Sequence, residues 1–305
     1  MLTDKAMFDV VILSDNRYVN PTTTNWYIDQ VLLEDQLLQT ALEEKGLLVI
    51  KKDWADKHFD WTKTKYAMFR TTWDYFERFD EFFTWLEKTK NKTTFINSAE
   101  VINWNIDKHY LQDLAKKNIN IAPTLFIEKG ENTTLKQLFE KTNWKEVVLK
   151  PAISGAARHT YRINPNNYKK HENIFQELIK VESMLFQSFL KNITLLGEIS
   201  LIMIGEKYIH AVKKTAKKGD FRVQDDHGGT VEKYQPTKDE ILFAENCLKA
   251  SPFNPVYARV DLVYDNNNIL SLSELELIEP ELWFRNNPIS ANLLAEEVIN
   301  LISSK

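Results

Sequence analysis

The residues from Tyr257 to Pro280, Y-A-R-V-D-L-V-Y-D-N-N-N-I-L-S-L-S-E-L-E-L-I-E-P, combine acids and a guanidinium with strict alternation. In the first arm Tyr257, Arg259, Asp261 and Val263 share one strand face, and Ala258, Val260 and Leu262 the other. In the second arm Glu274 and Glu276 lie together, with Leu275 and Leu277 reversed. A turn over Asn266 to Ile269 that pairs Asp265 with Leu270 sets Asp261 opposite Glu274 and Arg259 opposite Glu276. Like charges across a ladder destabilise it, and a divalent cation would offset that cost; hard oxygen ligands suit magnesium. Two readings stay open on these residues alone, a metal-binding floor and a solvated acidic face.

Other groups could join such chemistry. Glu146 to Leu149 reads as a strand running into Lys150-Pro151-Ala152-Ile153-Ser154-Gly155-Ala156-Ala157-Arg158. Small residues after a strand let backbone N–H groups approach phosphate oxygens, though the spacing is not that of a P-loop. A hairpin over Gly197 to Lys213, turning at Gly205-Glu206, predicts Glu198 opposite Lys213. The polar stretch Gly219 to Gly229 predicts a loop closing over a ligand. The cluster R-T-T-W-D-Y, residues 70 to 75, stands at a strand end, where it is either a capped helix start or a substrate-binding group. No Ser-His-Asp or Cys-His arrangement supplies a nucleophile.

The elements that must position these groups follow from periodicity. Phe8 to Leu13 predicts a buried strand ending in Ser14-Asp15-Asn16, where a parallel sheet opens its carboxyl edge to ligands. Ile28 to Leu42 has helical spacing closed by Gly46, and strands follow at Leu47 to Ile50, Tyr66 to Phe69 and Thr94 to Ile96. This is an open α/β layer. Beyond it come a helix opened by Asp107-Lys108-His109-Tyr110, strands at 125–127 and Met184 to Phe189, a helix from Ile241 to Leu248, and a closing helix from Asn292 to Ile302.

A length of 305 residues allows two or three subdomains; 43% hydrophobic and 27% charged residues match a soluble globular protein. The net charge of -4 gives no basic excess for nucleic acid, and no segment has the apolar length to cross a bilayer. The acid-flanked N-terminus reads as a first strand rather than a signal peptide. The single Cys247, on an amphipathic helix, fits a buried thiol in a reducing cytoplasm.

Taken in order, Lys108, Lys150, the small-residue loop, the linker Gln187 to Leu190 and the D...E-x-E hairpin resemble the ATP-grasp superfamily, over roughly residues 98 to 290. R-T-T-W-D-Y, N-W-N-I-D-K-H-Y-L, G-E-I-S-L-I, H-A-V-K-K, G-D-F-R-V-Q with H-G-G, and A-R-V-D-L-V with E-L-E-L-I-E-P are similar to the branch containing the cycloserine-forming O-ureidoserine cyclo-ligase, over nearly the whole chain. The implied fold class is α/β and α+β, an ATP-grasp fold with an N-terminal open α/β domain. Its parts would be a substrate-side domain at 1–97, a lid subdomain at 98–189 and a C-terminal subdomain with the metal site at 190–305.

The resemblance implies ATP and Mg2+ as cofactors and gives the residues roles. Lys108 and Lys150 would bind the α- and β-phosphates, and the loop containing Ser154, Gly155 and Ala156 would fold over them. Gln187, Ser188, Phe189 and Leu190 would offer backbone groups to the adenine edge, and Glu198 would sit by the ribose or hold Lys213. Asp261, Glu274 and Glu276 would be the magnesium ligands, the last an asparagine in many relatives. Arg222, Lys213 and Arg259 would neutralise the γ-phosphate and an acyl phosphate. Arg70, Trp73, Asp74 and Tyr75 are candidates for reading a small amino-acid-like substrate, and His227 is a candidate general base or hydrogen-bonding residue. The implied reaction is carboxylate–amine ligation or ring closure through an acyl phosphate; a non-catalytic nucleotide binder and a small-molecule kinase are the alternatives. A homodimer is the prior for such an enzyme.

Overall fold

The structure is a computed structural model that describes residues 7–223 and 228–304. The described residues form three sheets. In the first, β1 (Phe8–Ser14), β2 (Val49–Asp53), β3 (Thr64–Thr71) and β4 (Thr94–Ile96) are parallel in the order β2-β1-β3-β4. The helix Trp26–Glu44 links β1 to β2. Its N-cap Asn25 accepts the Ile28 N–H, and Gly46, at φ 84°, ends the run where a side chain would be strained. Val11, Leu13, Phe69 and Phe82 bury one sheet face together with Trp54 and Trp61. Trp54 and Trp61 meet Trp85 edge to face at 5.7 and 5.2 Å, so these tryptophans are core.

The second sheet is antiparallel, with β5 (Thr124–Ile127), β6 (Val147–Pro151), β7 (Tyr161–Ile163) and β8 (Met184–Ser188) in the order β5-β8-β6-β7. Helices Leu135–Thr142 and Glu172–Val181 cover it through Leu138, Phe139, Phe175 and Leu178. Neither helix is resolved by the sequence reading, although the capping box of Thr134 with Gln137 is legible there.

The third sheet runs β11-β10-β9-β12-β13, with β9 (Glu198–Ile204), β10 (Lys207–Thr215), β11 (Thr230–Tyr234), β12 (Tyr257–Tyr264) and β13 (Leu270–Glu276) all antiparallel. Ile199, Leu201, Val260, Leu262 and Leu275 bury one face against helices Tyr110–Lys116 and Lys238–Ala250. Cys247 lies in that core, where burial pushes its thiol far above the usual range, so it is not a nucleophile. On the reverse face Ile202, Ile204 and Tyr257 pack with Leu38 and Leu42 of the N-terminal helix and with Leu294 of helix Ile289–Ser303. The first and third sheets therefore share a core.

Two bulges alter the expected registers. In β10 the ladder shifts between Tyr208 and His210, so Lys214, and not Lys213, pairs with Glu198. In β13 the shift leaves Leu270 opposite Tyr264 rather than Asp265, yet Asp261 still faces Glu274 and Arg259 faces Glu276. Among the described residues no helix is long and apolar enough to cross a membrane.

Candidate active site

The outward face of β9, β12 and β13 is the floor of a cavity of about 380 Å³ lined also by strands of the second sheet and by residues of the N-terminal domain beyond its strands, among them Tyr18, Trp73 and Tyr75. Because strand side chains alternate, the leucines that bury the reverse face oblige Asp261, Glu274 and Glu276 to point into it. Arg259 forks onto Asp261, with Nε and Nη2 donating at 3.0 and 2.9 Å, and also donates to Glu276. Ser200, paired with Asp261 across β9, donates its hydroxyl to the same carboxylate at 2.5 Å. Lys214 completes the group, held by Glu198 and lying 3.3 Å from Asp261. Burial opposes ionisation of Asp261, but Arg259 and Lys214 outweigh it and hold its carboxyl down at about 2.

Facing this floor are the two lysines. Lys108 donates to the Ser154 carbonyl at 2.6 Å and pairs with Glu274 at 2.8 Å. Burial works against its charge, yet the carboxylates of Glu274, Glu276 and Glu279 prevail and raise its pKa above the lysine norm. Among the described residues Lys150 has no such direct partner; burial lowers its pKa, and Glu274 only partly offsets it. The loop after β6 then turns through Ala156 and Ala157 at φ 47° and 54°, a left-handed run that non-glycine residues rarely adopt. Gly155 permits a close approach, since a Cβ there would lie 2.5 Å from the Phe76 ring of the N-terminal sheet domain. Ser154, Gly155 and Ala156 all line the cavity, and Arg158 anchors the loop by forking onto Glu182 at 2.9–3.1 Å.

Several expected residues stand elsewhere. Lys213 points to the opposite side of β10, its ammonium 6.0 Å from the Tyr234 ring, because the bulge inverts the faces; Lys214 takes the place expected of it. Arg70 is 1% exposed and spent on Glu34 and the Pro280 carbonyl, at 2.8 and 2.7 Å. Asp74 accepts from the Trp54 indole at 2.7 Å and from Arg78 at 2.8 Å, which makes it an internal brace. Of the linker, only Gln187 lines the cavity, donating to Thr124 at 2.9 Å. The N–H groups of Ser188 and Phe189 are taken by the carbonyls of Pro123 and Glu146, and Leu190 is buried beside Val263. Arg222 lines the cavity with its guanidinium on Asp220 at 2.7 Å. His227 lies outside the described residues.

Trp73 and Tyr75 do reach the site. The Trp73 indole donates to the Glu279 carbonyl at 3.0 Å, and the Tyr75 hydroxyl beside the Glu279 carboxylate favours its charged form. The sequence reading misses Glu279, Trp283, Lys214 and Ser200. Their signals are faint, since Glu279 belongs to E-L-E-L-I-E-P and alternation stops at the strand end. Trp283 lies beneath Arg259 and Lys214, with its ring centroid 5.1 and 5.5 Å from their charges.

The donor set fits a hard divalent cation with a phosphorylated partner. Glu274 and Glu276 keep 28% and 25% of their side-chain surface open to the cavity. Withdrawal from bulk water, reinforced by Glu274 and Asp261 against the opposing Arg259, pushes Glu276 up to about 8; the same desolvation takes Glu279 to about 7. Both carboxyls are therefore harder to ionise than a free glutamate, and a cation bound at the floor would favour their charged form. Among the described residues no closed cage of three or more acidic or histidine ligands forms. An open pair of carboxylates is what magnesium takes when water and phosphate oxygens complete its shell.

Comparison with known proteins agrees with this layout. The profile of the RimK-like ATP-grasp domain matches residues 107–280, and that of the D-cycloserine synthetase DcsG N-terminal domain matches residues 10–97. Cycloserine biosynthesis protein DcsG of Streptomyces lavendulae is 26% identical over 265 residues, which cover 80% of this chain and 86% of that one. A probable alpha-L-glutamate ligase of Shewanella loihica is 27% identical over 174 residues, 56% of each protein. In three dimensions the crystal structure of D-cycloserine synthetase DcsG matches with TM-score 0.84 at 22% identity, covering 95% of this chain and 98% of that one. The D-alanine–D-alanine ligase of Bacillus anthracis gives 0.65 at 13% identity over 96% of each chain. The chain belongs to the RimK-like ATP-grasp family.

Proposed function

We propose that this protein is an ATP-dependent ligase that activates a carboxylate or related acyl group of a small amino-acid-like substrate and joins it to an amine. The observation that carries this reading is the opposition, across one cavity, of Lys108 and Lys150 to the acidic ladder of Asp261, Glu274 and Glu276. Bound ATP and Mg2+ would supply the phosphoryl group and the charge neutralisation by which an acyl phosphate forms. Lys108 and Lys150 would hold phosphate oxygens, and the Ser154–Ala157 loop would cover them. Glu274 and Glu276 would be the metal's protein ligands. Asp261, saturated by Arg259, Ser200 and Lys214, would orient those two cations more than it coordinates. Arg259 and Lys214, firmly charged and stacked on Trp283, would stabilise negative charge developing on the acyl oxygen.

No protein nucleophile is required, because the leaving phosphate and the incoming amine do the covalent work while the chain positions them. The likeness to DcsG supports a version in which amine and activated group belong to one molecule. Release of ADP with ATP, Mg2+ and a panel of amino acids and their hydroxamates, with mass spectrometry of the product, tests the reading. Substrate-dependent ADP release with a new amide supports it; phosphorylated product without amide replaces it with a kinase, and no nucleotide binding overturns it.

A further inference from the structure

Glu279 differs from the other inner acids of the cavity in its partners. Glu274 has Lys108, Glu276 has Arg259, Asp261 has Arg259 and Lys214, Glu198 has Lys214, and Glu281 has Arg285. Among the described residues no lysine, arginine or histidine forms an ion pair with Glu279; the neutral Tyr75 hydroxyl lies beside its carboxylate, and Lys108 acts on it only from beyond ion-pair distance. A half-buried carboxylate without an ion-pair partner is costly, and Glu279 stands on the cavity wall together with Trp73 and Tyr75. Such a carboxylate, open to a cavity, is a receptor for an ammonium ion.

A second observation points to a ligand at the same loop. The Trp283 indole is 3% exposed and lines the cavity, and among the described residues its Nε1–H has no hydrogen-bond partner. It is a buried donor awaiting an acceptor oxygen. The segment carrying both groups is fixed from several sides. Trp73 donates to the Glu279 carbonyl, Arg70 to the Pro280 carbonyl, and Glu34 accepts the N–H groups of Leu282 and Phe284. A site held so firmly before the substrate arrives loses little entropy on binding it.

We propose that Glu279 with Tyr75 binds the ammonium group of the amino-acid-like substrate, while the Trp283 indole N–H donates a hydrogen bond to an oxygen of the same molecule. The inference rests on the ligase reading and names the substrate feature that the site selects, a primary amine carried as a cation beside a polar oxygen. It also gives the N-terminal domain its share in recognition, through Trp73 and Tyr75.

The test uses the full chain with a non-hydrolysable ATP analogue and Mg2+, titrated with matched probes: D-alanine and propionate, L-glutamate and glutarate, D-serine and 3-hydroxypropionate. At least one amine is expected to bind roughly 10- to 100-fold more tightly than its des-amino partner, the loss appropriate to a charged hydrogen bond. In Glu279→Gln that discrimination should collapse, with the Mg2+-dependent binding of the nucleotide unchanged. Tyr75→Phe, which keeps the ring and removes the hydroxyl, should reduce it in part. The inference is overturned if no amine is preferred while nucleotide still binds, if discrimination survives Glu279→Gln, or if that variant instead loses Mg2+-dependent nucleotide binding. Failure of the wild type to bind nucleotide at all would overturn the ligase reading, and this inference with it.

Discussion

Lys214 stands across β10 from Glu198 because one extra residue before His210 turns the remainder of that strand over. Lys213 accordingly lies on the far side. Lys214→Met should lower turnover by about 100- to 1000-fold, the loss typical of one donor to developing charge. Lys213→Met should stay within about threefold of wild type, as expected of a side chain outside the site. Steady-state ADP release checks both; equal losses would mean that the β10 register is wrong.

Glu274→Gln should abolish Mg2+-dependent turnover while the fold survives. The substitution keeps the shape of the side chain, relieves repulsion from Asp261 across the ladder, and removes the ion pair of Lys108, which keeps its bond to the Ser154 carbonyl and the nearby charges of Glu276 and Glu279. Activity across a magnesium titration, with thermal unfolding as control, reads this out. Unchanged activity with unchanged magnesium dependence would remove Glu274 from the metal site.

Arg70→Met should destabilise the protein by about 3–5 kcal/mol, because it leaves Glu34 charged and buried without its partner. Urea unfolding measures the loss. If stability held and only substrate preference changed, Arg70 would return to the list of substrate-reading residues.

His210 sets a pH dependence. Its ring is 9% exposed, with Ser290 2.9 Å from Nδ1, and burial holds its pKa down at about 4. The unfolded chain, with an ordinary histidine near 6.5, takes up a proton first as pH falls. Stability from this residue is therefore complete above about pH 6.5 and is lost towards pH 4, by about 1.4 kcal/mol per pH unit. The stability difference between wild type and His210→Gln should be constant above that window and change within it, the wild type losing stability faster as pH falls. Parallel curves would show that His210 titrates normally in the folded state.

Gly155→Ala should push the phosphate-side loop off the Phe76 ring and cost about 1–3 kcal/mol, as overpacking does. Phe76→Leu in the same chain should recover part of that stability. Thermal unfolding of the single and double variants decides it, and full additivity would argue against the contact.

How far the sequence discloses this site depends on how local each cause is. The acids of β12 and β13 are legible because alternation with Val260, Leu262 and Leu275 is a property of the strands themselves, and the bulge at their turn end closes before Asp261 is reached. Lys214 is not, since nothing in Tyr208-Ile209-His210 marks an extra residue. The R-T-T-W-D-Y cluster shows the same limit more sharply. Whether a polar residue at a strand end faces ligand or core depends on what packs against it, and Arg70 meets Glu34 and Pro280 while its neighbour Trp73 meets Glu279. Those partners come from distant parts of the chain.

The strap formed by Arg70, Glu34 and Trp73 across residues 279–284 also bears on how such proteins can be recombined. An N-terminal half borrowed from a relative would bring foreign side chains to Pro280, Leu282 and Phe284, and the graft would lose register at the substrate end even with its nucleotide machinery intact. The two halves form one heritable unit, and a chimera that works must exchange this seam together with the domain that grips it.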